Sequence, residues 1–77
     1  MSNRTTDVMI HTHITLSDDQ FNEISRQVQT IDGVVRFDRN PVKPNLIMVA
    51  YKAGHIRAIT ILNKITRLGF NASLVGI

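Results

Sequence analysis

The stretch SDDQFNEISRQVQTIDGVV, residues 17–35, decides how this chain folds. Ser17 offers a side-chain oxygen at a helix start, and Gln20, three residues on, reaches back to complete a capping box. Asp18 and Asp19 fall where the helix dipole is positive. Phe21, Ile24 and Val28 then recur at i, i+3 and i+7, Ile31 extends the apolar side, and Gly33 can take the left-handed conformation that stops a helix. The spacing predicts a helix from Asp18 with one buried face. A second stretch, IRAITILNKITRLGFNA at 56–72, repeats the plan. Ile61, Leu62, Ile65 and Leu68 stand at helical spacing, Arg57, Thr60, Asn63, Lys64 and Arg67 mark the wet side, and Gly69 is the stop.

Strand-like runs flank both helices. Residues 7–14 alternate, with Val8, Ile10, Thr12 and Ile14 on one face and Met9, His11 and His13 on the other. Residues 34–39 read as a second strand of weaker period. A loop at 40–45, stiffened by Pro41 and Pro44, leads to a third strand at 46–51 that has no polar residue to show its inward face. Residues 70–75 close the chain with a short fourth strand. The order is β-α-β-β-α-β. Right-handed crossovers in each β-α-β half then give an α+β, ferredoxin-like sandwich. Its four-stranded antiparallel sheet has order 4-1-3-2, with both helices on one face and the other face open.

Composition bounds what such a domain can do. Seventy-seven residues, 43% hydrophobic and 19% charged, describe one compact unit at 7–77 after a flexible leader at 1–6. With no cysteine, disulfides, thiolate metal sites and thiol nucleophiles are excluded. No run approaches the 18 or so apolar residues of a membrane span, and the N-terminus lacks a signal-like apolar core, so a soluble, cytoplasmic protein without membrane insertion is expected. Nine Lys/Arg against six Asp/Glu give a net charge of +3, but the basic residues are scattered rather than blocked. There is no Gly-x-Ser-x-Gly, phosphate loop or spaced carboxylate pair, so no enzymatic reading is made.

The pattern resembles the heavy-metal-associated domain of copper chaperones and metal-pumping ATPases, over residues 8–76. The likeness is carried by Ile24, Val28, Ile31 and Gly33-Val34; by Ile47, Val49 and Tyr51 in the third strand; and by Ile65, Gly69, Phe70 and Ala72 near the end. It implies that Ile47, Val49 and Tyr51 point inward, leaving Leu46, Met48 and Ala50 outward beside Met9, His11 and His13. In that family a Met-x-Cys-x-x-Cys loop after the first strand holds a soft ion such as Cu(I). The resemblance puts Thr15 at the Met and Ser17-Asp18-Asp19-Gln20 across the Cys-x-x-Cys, which implies a degenerate loop whose oxygens suit Cu(I) poorly.

Two features of the open face remain as candidate sites. Met9, His11, His13, Leu46, Met48, Ala50 and Val75 make a patch expected to associate, with a further copy of the chain as a homo-oligomer or with another protein domain. His11 and His13, two apart on one strand with Met9 in the same row, present imidazoles and a thioether that suit Cu, Zn or Ni, and two such pairs from two chains would close a tetrahedral shell. No cofactor is required by the rest of the sequence. His55 is expected at the opposite end of the sheet from His13. Arg36, Arg39 and Lys43 form a basic cluster expected to lie solvated along an edge. Nucleic-acid or anion binding ranks last, because the outward positions lack the aromatics on which bases stack.

Overall fold

The computed structural model describes residues 4–75. The elements are β1 (Thr5–Thr12), α1 (Asp18–Val28), β2 (Val34–Arg39), β3 (Leu46–Lys52), α2 (Ala58–Arg67) and β4 (Ala72–Val75). The strands form one antiparallel sheet of order β2-β3-β1-β4, the expected order read from its other edge. Thr5 and Thr6 belong to β1, where Thr5 pairs with Lys52, so the expected leader is corrected at these two positions. Its first three residues lie outside the described part.

The capping box forms as its sequence requires. The Gln20 N–H donates to Ser17 Oγ at 3.1 Å, and the Ser17 N–H donates to Gln20 Oε1 at 2.8 Å. Ile24 and Val28 are fully buried, with Phe21 and Ile31 packed beside them. Gly33 has the positive φ, 104°, but it does not end the helix: α1 stops at Val28 and a further turn carries the chain to β2. Gly33 is needed there twice over, since an added Cβ would also lie 3.0 Å from that of His55. Gly69, at φ 99°, does end α2: the Gly69 and Phe70 N–H groups bond back to the Thr66 and Ile65 carbonyls. Helix α2 starts at Ala58, two residues after the expected start, with Arg57 as an N-cap that makes no side-chain cap bond. Strand β4 likewise starts two residues late, at Ala72.

The core lies between the sheet and the helices, built from Val8, Ile10, Leu16, Ile24, Val28, Phe37, Ile47, Val49, Ile61 and Ile65. Thr12 is buried among them, its hydroxyl donating to the Ile14 and Asn45 carbonyls at 2.8 and 3.3 Å. The chain leaves the strand at that point, so Ile14, expected on the face of Val8, Ile10 and Thr12, is corrected to 55% exposed, and Leu16 is buried instead. Strand β2 carries a bulge between Val34 and Arg36, which explains its weak period. Without the extra residue, Phe37 and Arg39 would face outward; with it, Val34, Phe37 and Arg39 all lie on the core side.

Candidate functional site

The open sheet face is organised by register. Val75, Met9, Met48 and Asp38 form one row across the four strands, Ser73, His11 and Leu46 the next, and Asp7, Ala50 and Arg36 a third on the other side. Met48 and Val75 are 37% and 38% exposed, and Met9 and Leu46 are half-buried. Met9, Leu46 and Met48, with Pro41, Asn40 and Asp38, line a shallow recess of about 210 Å³. Ala50 departs from the expected patch. It is only 6% exposed and is corrected to a covered position, a methyl group set in the sheet between the longer Asp7 and Arg36.

His11 and His13 stand at the end of this face with ring centroids 6.2 Å apart, both exposed. His13 lies one residue past β1, in a bend, yet its N–H donates to the Asn71 carbonyl at 3.0 Å and keeps the β4 side of the ladder. Its Nε2 is 3.2 Å from Ser73 Oγ. Ser73 is itself the register partner of His11, so the residue bonded to one ring lies across the ladder from the other. Among the described residues no three His, Asp or Glu side chains converge as metal ligands. His55 occupies the turn after β3, near Lys52, which pairs with the start of β1; that is the end opposite His13, as expected.

The loop between β1 and α1 is held by groups that the sequence does not advertise. Asn45 Nδ2 donates to the Thr12 carbonyl at 3.1 Å, and Asn45 Oδ1 accepts from Thr15 Oγ1 at 2.8 Å. Arg39, expected on a solvated edge, is corrected to a half-buried clamp with its side chain 19% exposed. Its guanidinium pairs with Asp18 at 3.1 Å, donates to the Leu16 carbonyl and lies 5.0 Å over the Phe21 ring. Arg36 stays outside, 3.6 Å from Asp38.

As a sequence the chain matches no family model and no curated protein. Its fold is matched by solved structures. Oxidized MerP from Ralstonia metallidurans CH34 superposes with a TM-score of 0.81 at 11% identity, over 94% of this chain and 99% of that one. The N-terminal domain of a potential copper-translocating P-type ATPase from Bacillus subtilis gives 0.81 at 17% identity, over 92% and 88%. The yeast copper transporter domain Ccc2a gives 0.77 at 25% identity, over 90% and 93%. The chain has the heavy-metal-associated fold and no cysteine. In this cysteine-free domain the three positions that the resemblance assigns to Met and the two Cys are engaged internally. Thr15 is bonded to Asn45, while Ser17 and Gln20 bond each other. Hydroxyl and amide oxygens so placed do not fit Cu(I), which prefers soft donors.

A test of that loop follows. Ser17→Ala is expected to lower unfolding stability by about 1 kcal/mol in urea titration, the scale of a lost N-cap, and to leave any metal affinity unchanged. Loss of metal binding at unchanged stability would show that the loop is a ligand site.

The nucleic-acid reading gains nothing from the geometry. Phe21, Phe37, Tyr51 and Phe70, the only Phe and Tyr residues, all pack with the core. A second recess, of about 300 Å³ between Ile31, Thr60, Asn63, Lys64 and Arg67, is basic but wide open. No helix among the described residues is long and apolar enough to cross a membrane.

Proposed function

We propose that this heavy-metal-associated-like domain is a binding module, not an enzyme, that associates with a second copy of itself through its open sheet face. The supporting observation is the row Val75, Met9 and Met48 across three neighbouring strands, bordered by the recess at Leu46. Apolar side chains aligned on an uncovered face are the usual mark of an association surface. Charge favours a like partner. The chain carries +3, but the charged residues on this face are Asp7, Asp38, Arg36 and Lys52, two of each sign, so the face itself has no net charge.

A two-fold axis running along β1 satisfies the pattern. Met9 and His11 would then face their own counterparts, as would Asp7 at the far end of the face, and Met48 would lie over Val75 of the second copy. The four strands and a seven-residue β3 outline a face of roughly 19 by 23 Å, or about 450 Å² in projection. That is below the roughly 800 Å² per partner of a standard stable interface, so the pairing is weak and reversible by itself.

The test is sedimentation velocity over a concentration series with Met48→Glu beside the wild type. Met48 is exposed enough for the monomer to accept the charge, but burying it unpaired in a dimer is unfavourable. The wild type is expected to dimerise with rising concentration and the variant to bind itself at least about tenfold more weakly, with an unchanged circular dichroism spectrum. A wild type that stays monomeric to millimolar concentration would refute the reading.

A further inference from the structure

Resting on that self-association, we infer that the pair of faces is closed by a divalent ion of zinc type held by His11 and His13 of two copies. One copy supplies two imidazoles and, among the described residues, no third His or carboxylate joins them. A structural zinc site takes four ligands in a tetrahedron. A single chain therefore offers half of a site, and the two-fold axis along β1 supplies the other half from the same residues.

The dimensions agree. Facing sheets pack about 10 Å apart, which puts the midplane about 5 Å from each backbone, within reach of an imidazole nitrogen. With metal–nitrogen bonds of about 2.0 Å, two rings in one tetrahedral shell have centroids about 5 Å apart. The observed 6.2 Å is about 1 Å wider, a difference that rotation of two exposed side chains removes. Ser73 Oγ beside His13 Nε2 provides the outer hydrogen bond that fixes a ligating ring and leaves Nδ1 for the ion. Met9 turns toward the recess with Met48 and Leu46, so a nitrogen-only shell is assigned, which suits zinc better than Cu(I). The ion also answers the small area of the face, because it adds a strong contact where apolar burial alone gives a weak dimer.

Sedimentation velocity and calorimetry of the full chain with Zn(II), and with excess chelator, test this. Zn(II) is expected to bind at one ion per two chains and to convert monomer to dimer, and chelator to reverse it. His11→Ala and His13→Ala should each lower Zn(II) affinity by more than about 100-fold, beyond the loss expected from an outer partner such as Ser73. The double variant should add little, because either loss breaks the shell. A dimer that forms equally in chelator and in both histidine variants, yet dissociates in Met48→Glu, would overturn the metal clamp and keep the association reading. Zn(II) bound one per monomer, or not at all, would also overturn the clamp. A zinc dimer indifferent to Met48→Glu but lost in either histidine variant would overturn association through the apolar face and keep the shared ion.

Discussion

Ile47→Ala is expected to lower the free energy of unfolding by about 4 kcal/mol, within the usual range for truncating a fully buried isoleucine. Ile47 is fully buried near the start of β3, a central strand of the sheet, opposite Ile10 on β1 and Arg39 on β2. Its inner neighbours come from three strands and cannot collapse together without breaking the ladder, so the cavity persists. A domain of 77 residues has a total stability of about 4–12 kcal/mol, so the variant should keep no more than about 8 kcal/mol of it and melt at a clearly lower temperature than the wild type. Urea titration followed by circular dichroism measures the loss. Ile59→Ala, at a site 42% exposed on α2, should change stability by less than about 0.5 kcal/mol. Similar losses at the two sites would mean that β3 does not present Ile47 to the core.

Arg39→Ala is expected to cost about 2–3 kcal/mol, an unusual loss for a residue at a sheet edge. The ion pair with Asp18 contributes little of this, because the Asp18 side chain is 94% exposed and its charge is screened. Asp18→Asn should therefore cost less than about 1 kcal/mol. The larger part comes from the charge-assisted bond to the Leu16 carbonyl and the stacking on Phe21, both on the core side. Arg39→Met should lose less than Arg39→Ala. It keeps the packed stem and removes Nε, which is buried without a hydrogen-bond partner. Hydrogen exchange of the amides at 16–20 separates a loop clamp from general packing: these should exchange faster in Arg39→Ala at conditions where the core strands stay protected. Uniform loss of protection would mean that Arg39 is only part of the core.

The two variants probe parts of the molecule that were unequally legible. Ile47 was placed inward by resemblance alone, since the run 46–51 has no polar residue, and the structure puts it there with Val49 and Tyr51 on the core side. Arg39 was assigned to a solvated edge on its charge, as one of a basic cluster with Arg36 and Lys43; the bulge at Val35, which has no local mark, turns it to the core side, since one extra residue reverses the facing of everything after it. Ala50 illustrates the same limit on the opposite face. The resemblance places it outward correctly, but how far a methyl group there meets solvent depends on its longer register partners on the neighbouring strands, Asp7 and Arg36. Ile14 is exposed and Leu16 buried because Thr12 and Asn45 turn the chain out of β1.

By itself the sequence determined what arises within a few residues: the capping box of Ser17 and Gln20, the apolar faces of both helices, the positive φ of Gly33 and Gly69, and from their order the fold and its strand sequence. Tertiary structure alone decided the rest. Ser73 meets His13 across 60 residues of chain, Asn45 meets Thr12 across 33, and Arg39 meets Leu16 across 23. Such contacts are set by register and strand order, and periodicity carries no record of them, because a pattern repeating every two or 3.6 residues identifies a face without naming what lies across it.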